Sequence, residues 1–533
     1  MTALDQRDGR AAAHAGRRRG PGALAARSVI ALVSALFALI IVLVLLAAPR
    51  IAYACKVGAV VSRPLETGLA ALALALALAV AGAALAGPLS RSPLARRRPF
   101  ALLAVTWCAA LLGCQAAIAR ACWFEGGWDV GLVARLYLQP ASSFLEYLAH
   151  YPNNLFLYDL FRGLEALARA VGLAEPYLLY IAGSCLSVTA AIGLAAVAAH
   201  RSAGEAGAVA GILVLAAGSA LIGVSPWVLV PYSDTYAMPY PAAMLAAYAC
   251  LRRPWPRWGA VGALAVIGMA VKPTAVFMAA ALVAAHAIHR AGRPRVDRRA
   301  ILMGAGRIAA AIGLGALMGG AVVRGVVATG PRLDPAQAVP ASHFFAMGAN
   351  PGTLGYFSAA DERLTLSIEP SRRSAAMAGV WIERLREMGP EGTAKLAVRK
   401  LMTVYADGTL AWDQEGGFFY RLHGTDPGLM AFYGIGDPAP PATAFRFAAQ
   451  VLWLALLAGT ACLAPCSRRR DVSAVEVASA LAVLALTAFL LLSECRARYL
   501  ILYAPVLACL GTRGLIALGL GIGRSATDLR GRG

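Results

Sequence analysis

The sequence predicts an all-α polytopic membrane protein, and three observations carry that prediction. Of its 533 residues, 59% are hydrophobic and only 14% charged, whereas soluble domains carry roughly a quarter charged residues. Apolar runs near the 20 or so residues that a helix needs to cross a bilayer recur along the chain, and mean hydropathy is +0.65. The surplus of 49 Lys and Arg over 28 Asp and Glu, net +21, collects in short connections between those runs, which is the positive-inside pattern. A soluble enzyme, a disordered tail protein and a nucleic-acid-binding domain are excluded by the same numbers.

The elements follow in chain order. A basic tail, 1–27, precedes expected spans at 28–49, 68–88, 99–119, 177–199, 206–229, 236–251, 258–271, 274–289 and 301–327, which form a membrane domain over 28–327. Three more spans, 444–464, 472–493 and 499–521, close the chain before a short tail, 522–533. About twelve spans place both termini on one side. Arg17 to Arg19, Arg96 to Arg98, Arg252 with Arg253, Arg290 to Arg299, Arg468 to Arg470 and the Arg524 to Arg532 tail all fall there, so that side is expected to be cytoplasmic. Lys272-Pro273 interrupts 258–289, and because proline disfavours helix in the residue before it, a hairpin of two short helices is expected.

Two segments are too polar for the bilayer and are expected outside. In 120–176, Phe156, Leu160, Leu164, Leu167 and Val171 recur at three- and four-residue steps, marking an amphipathic helix on the membrane surface. The second, 328–443, is long enough for a small extracytoplasmic module, with 374–404 helical. Cys108, Cys114, Cys185, Cys250 and Cys509 lie in or beside apolar runs and pack as small hydrophobes. Only Cys55 and Cys122 face outward in this topology, where a bridge between them is the alternative to two free thiols. The leader resembles a signal peptide, with small residues Ala52 and Ala54 before Cys55, but its apolar stretch is longer than the 7–15 residues of a signal core, so it is read as a retained span.

Ionisable residues in or beside spans are costly and therefore informative. Asp129 in "GGWDVG", Asp234 in "PYSDT", Lys272 at the bend, and Glu494, Arg496 and Arg498 in "SECRARYLILYAP" all fall on the outer side. This set suits group transfer from a lipid phosphate: a carboxylate accepts the proton of an acceptor hydroxyl while cations hold the departing phosphate. Arg suits that phosphate because its planar fork bonds two oxygens at once. Each residue has a plainer competing role. Asp234 is placed to cap a helix, Lys272 to snorkel, the Arg pair to bind ordinary phospholipid headgroups with Glu494 neutralising one, and Asn153 and Asn154 to form a turn after Pro152. Trp128, Tyr151, Tyr232, Tyr236 and Tyr240 suit stacking on a sugar or anchoring at the interface. In "VYADGTLAWDQEGG", Asp407, Asp413 and Glu415 lack the EF-hand spacing and read as a turn. His150, His200, His289 and His343 show no zinc-ligand spacing, no metal site is readable, and the cofactor is left unknown.

The outer acid, the "YPNN" turn, "PYSDT", "MAVKPTAVFMAAAL", "HFFAMGANPGTLGYFSAADE" and the terminal "ECRARYLILYAPVL" together resemble the GT-C superfamily of membrane glycosyltransferases, and within it bacterial proteins similar to protein O-mannosyltransferases of family 39. The likeness runs from about Trp128 to Pro505. It implies a GT-C-like fold, a polyprenyl-phosphate-linked sugar donor, an outward-facing site in a bacterial plasma membrane, inversion at the sugar carbon and a glycan or protein acceptor. Asp129 takes the place of the first-loop catalytic carboxylate, with Val130 where the mannosyltransferase pattern has a second acid. Substrate contacts are then expected from Asp234, Lys272, Glu494, Arg496, Arg498, Tyr151, Asn153 and Asn154. The main rival is a secondary transporter or lipid flippase, which predicts charges near mid-bilayer and an internal repeat. A scaffold for a cell-envelope complex is the third reading.

Overall fold

A computed structural model describes residues 20–47, 63–134, 141–291, 298–412, 415, 419–436, 443–467 and 470–530. The expectations for Cys55, Arg17 to Arg19, Ala52, Ala54 and Asp413 fall outside these residues. Helices α1 (Pro21–Leu46), α2 (Pro64–Arg91) and α3 (Arg97–Cys122) open an all-α bundle. A first loop region carries strand β1 (Phe124–Gly126), α4 (Trp128–Ala134), α5 (Ala141–His150) and α6 (Leu155–Ala170). The bundle resumes with α7 (Tyr177–Ser202), α8 (Gly207–Gly218), the single turn α9 (Ser233–Tyr236), α10 (Pro239–Cys250), α11 (Pro254–Val271), α12 (Val276–Ala291) and α13 (Arg298–Val327). A second loop region holds α14 (Ala341–Gly348), α15 (Ala359–Ser367), α16 (Pro370–Tyr405), β2 (Phe419–Leu422) and α17 (Pro427–Tyr433). Helices α18 (Thr443–Ala461), α19 (Leu463–Ser467), α20 (Ala474–Leu492) and α21 (Ala504–Arg530) complete the chain.

Ten helical segments among the described residues are long and apolar enough to cross a membrane. The expected spans at 236–251 and 258–271 do not reach that standard: α10 has 12 residues and α11 opens on Pro-Trp-Pro-Arg. Both nevertheless pack beside long helices, α10 against α7 and α11 against α13. Lys272 is extended, with φ −152° and ψ 117°, and Pro273 restarts the chain as a short 3-10 turn. At the far end the rings of Trp258, in α11, and His286, in α12, lie 5.3 Å apart. Start and finish of the pair therefore meet at one end with Lys272 at the other, which makes 254–291 the expected hairpin.

Burial patterns fit hydrocarbon as the solvent. On α1, Ala26, Ile30, Val33, Phe37, Ile40 and Val44 face the bundle while Leu24, Leu32, Leu39, Val42 and Leu46 are exposed; a helix apolar all round belongs in lipid or in a core. Between such helices attraction comes from close packing rather than water expulsion, which favours small residues at crossings. The α11–α13 crossing shows it: a Cβ on Gly315 would sit 1.9 Å from the carbonyl oxygen of Gly259, and one on Gly262 would sit 2.2 Å from that of Ile312.

The two loop regions lie at one end of the bundle and are woven together. β1 and β2 pair antiparallel, with Glu125 opposite Arg421. The Arg-rich connections after α2 and α10 lie at the opposite end, where His200 meets the carbonyl of Leu94 at 3.0 Å and His289, in the last turn of α12, that of Val472 at 3.0 Å. The surface helix expected in the first loop is α6, with Phe156 buried and Leu167 and Val171 exposed. Helix 374–404 is found within α16, broken at Gly389 (φ 61°) before Pro390. Within 328–443, residues 400–412 are buried against the bundle. Tyr405 shares a hydrogen bond with Thr487 at 2.6 Å, and its carbonyl accepts from Trp453 Nε1 at 2.7 Å.

Candidate active site

The loop end of the bundle gathers Asp129, Asp234, Lys272, Glu494, Arg496 and Arg498 from four stretches of chain. Lys272 is placed by the hairpin bend and Asp234 by the single turn α9. Asp234 does not cap that turn: its N-cap, Tyr232, makes no side-chain cap bond, and Asp234 Oδ1 instead accepts from Lys272 Nζ. Lys272 Nζ also lies 4.5 Å above the Tyr499 ring. Both side chains are nearly excluded from solvent, where a lone charge would cost several kcal/mol, so each is the other's counter-ion.

The two arginines follow from "ECRAR". Arg496 is extended (φ −148°, ψ 146°) and ends the strand-like stretch before a 3-10 helix over Ala497–Tyr503. Glu494 Oε1 accepts from Arg496 Nε at 2.8 Å and Glu494 Oε2 from the Tyr499 hydroxyl at 2.9 Å. Arg498 is 3% exposed, and its guanidinium carbon sits 4.3 Å from the centroid of the Trp128 ring and 5.5 Å from that of Tyr232. These aromatic faces hold the planar cation from several sides. Trp128 and Tyr232 thus act on Arg498, while the Tyr236 hydroxyl donates to the carbonyl of Tyr180 at 2.7 Å and is architectural.

Asp129 stands apart. Among the described residues it has no ion pair; its Oδ2 accepts from the Tyr232 hydroxyl at 3.4 Å, and Tyr147 is a second hydroxyl partner. Burial pushes its carboxyl above the ordinary range, although Arg498 and Arg496 pull in the opposite direction. The preceding Trp128 has φ 41°, a left-handed conformation costly for a bulky residue. Its indole Nε1 donates to the carbonyl of Glu415 at 3.0 Å, which ties the Asp129 turn to the second loop region.

The remaining expected contacts divide. Asn154 is buried and its Nδ2 donates to the Tyr147 hydroxyl at 2.9 Å, one step removed from Asp129. Tyr151 donates to Glu362 Oε1 at 2.5 Å. Asn153 is exposed on the Pro152–Asn154 turn, and among the described residues no contact joins it to the cluster; a 3-10 turn sends neighbouring side chains to different faces, so only one of the two asparagines turns inward. Sequence reasoning also missed residues. Glu415, read as part of a turn, places Oε2 2.7 Å from Arg498 Nε and 3.2 Å from Arg496 Nη1. Lys400 is fully buried and donates to the carbonyls of Gly348, Leu491 and Ser493 at 2.7–2.8 Å, fixing the chain just before Glu494. The only signal for either was an ionisable residue in a predominantly apolar protein. Among the described residues no three His, Cys, Asp or Glu side chains gather as metal ligands.

The arrangement can hold an anion against Arg496 and Arg498 and can accept a proton at Asp129 beside it. No curated protein and no solved structure matches the chain. Residues 26–515 match a family described as conserved hypothetical integral membrane protein, and the chain belongs to that family.

Proposed function

We propose that the protein is a membrane glycosyltransferase that moves a sugar from a polyprenyl phosphate to a hydroxyl of a cell-envelope glycan or protein, on the outer face of a bacterial plasma membrane. The observation that carries this reading is the pairing of a half-buried carboxylate, Asp129, which has no ion pair among the described residues, with two guanidinium groups, the partly shielded Arg496 and the buried Arg498, at one end of the bundle. The acceptor oxygen bonds to the sugar's anomeric carbon as Asp129 takes its proton. The bond from that carbon to the phosphate oxygen breaks, and its electron pair stays on the phosphate. Arg496 and Arg498, with Lys272 behind Asp234, offset the charge that grows there. Attack opposite the leaving group inverts the carbon. A carboxyl whose affinity for protons is raised by burial is a stronger base than a free one, and a positioned base contributes about 10²–10⁴-fold.

The charges lie at the loop end rather than midway along the helices, which favours chemistry at a rim over passage through the middle. Binding of a short prenyl phosphate to the purified protein tests the phosphate half of the reading. Arg496→Ala and Arg498→Ala should bind it weakly, and Arg496→Lys, which keeps charge and loses the fork, should fall between. Wild-type affinity in both alanine variants would place phosphate recognition elsewhere. Labelling of Ser367→Cys by an impermeant thiol reagent in intact cells, on a background without native thiols, tests the sidedness.

A further inference from the structure

We infer that the Glu415 side chain is a placeholder for the lipid-linked phosphate: it occupies the position between Arg496 and Arg498 that the phosphate takes, and it swings out when the donor binds. The inference rests on the phosphate reading above and adds a residue and a movement to it.

The geometry is that of a substitute rather than of a fixed strut. One oxygen, Oε2, serves both arginines, at 2.7 Å from Arg498 Nε and 3.2 Å from Arg496 Nη1. Neither Glu415 oxygen has an aligned hydrogen bond among the described residues, although both are buried, and Nε and Nη1 of Arg498 are likewise unaligned. A carboxylate built to hold a guanidinium group in place uses both oxygens in parallel bonds. Asp361 does so with one arginine elsewhere in this protein, with Arg384 Nη2 at 2.6 Å from Oδ1 and Nη1 at 3.0 Å from Oδ2. A phosphodiester spreads one negative charge over two non-bridging oxygens, so exchanging Glu415 for it leaves the cluster's charge unchanged while giving the idle guanidinium nitrogens a second acceptor. The backbone need not move, because the Glu415 N–H donates to the carbonyl of Ala411 at 2.9 Å and its own carbonyl is held by Trp128 Nε1 at 3.0 Å.

The test is equilibrium binding of farnesyl phosphate to the full-length protein in nanodiscs, with farnesol as the uncharged control. Glu415→Gln removes the competing charge. Glu415→Asp keeps the charge and the loop but shortens the reach by one methylene. Both are expected to bind farnesyl phosphate on the order of fivefold to tenfold more tightly than wild type, the scale of one ordinary hydrogen bond, with farnesol binding unchanged. Equal or weaker binding by the folded variants, with wild type still binding, would overturn the placeholder and make Glu415 a strut for the arginines, leaving the phosphate reading intact. Binding by none of the three, or equal affinity for farnesol, would overturn the phosphate reading and the placeholder with it.

Discussion

Asp129 and Asp361 are both shielded carboxylates in the loop regions, and their surroundings differ in kind. Asp361, in α15, receives the fork of Arg384 and the amide of Asn350 at 2.9 Å. Burial pushes its carboxyl up, but these partners outweigh burial and hold it below the ordinary range. Among the described residues Asp129 has phenol hydroxyls as its hydrogen-bond partners, and burial wins. Under the proposed function, the difference separates a charge fixed for architecture from a proton site left open for chemistry. Stability and pH follow with opposite signs. The Asp361 contribution is present above the unfolded carboxylate pKa of about 3.9 and is lost as pH falls through its lower folded value. Asp129 holds its proton longer in the folded state, so its contribution declines as pH rises from about 3.9 through its raised value.

The comparison breaks most visibly under substitution. Asp129→Asn is expected to cut transfer by about 10²–10⁴-fold without lowering the melting temperature, since the amide removes a charge that burial disfavours; turnover in membranes and thermal denaturation of the purified protein measure the two arms. Arg384→Ala should do the reverse. It strands Asp361 and is expected to cost roughly 1–3 kcal/mol of stability, read by denaturation, with turnover per folded molecule retained. The pH profile sharpens the contrast. Activity should fall on the acid side as pH drops through the raised Asp129 value, above the ordinary 3.9 or so, and Asp361→Asn should leave that limb in place. The smallest effect is expected from Tyr151→Phe, which removes the bond to Glu362: about 0.5–1.5 kcal/mol in stability and turnover close to wild type.

What the sequence revealed follows from what is rare in it. In a chain this apolar, Asp129, Asp234, Lys272 and the Arg496–Arg498 pair stand out, and parity of spans places them at one end before any contact is known. Glu415 escaped because "DQEGG" reads as a polar turn, and only the pairing of β1 with β2 and the Trp128 bond bring it beside the arginines. Tyr499 lay hidden at the start of an apolar run, where an aromatic reads as an interface anchor. Residues 400–412 fall in a segment that reads as the end of an outer helix followed by a turn, yet Lys400 and Asp407 enter the interior with backbone groups as partners. Burial of that sort depends on carbonyls and N–H groups contributed by distant segments, and side-chain chemistry alone does not report them.

Turnover of a lipid-linked sugar by protein in liposomes bears most directly on the proposed activity. Polyprenyl-phosphate sugars extracted from bacterial membranes are reconstituted with the protein and a cell-envelope acceptor fraction, and free polyprenyl phosphate is followed by mass spectrometry. Wild type is expected to release it only when acceptor is present, and Asp129→Asn, folded to the same melting temperature or higher, to release almost none. Release at the wild-type rate by Asp129→Asn would remove Asp129 as the base, and no release by wild type from any sugar in the extract would contradict the glycosyltransferase itself.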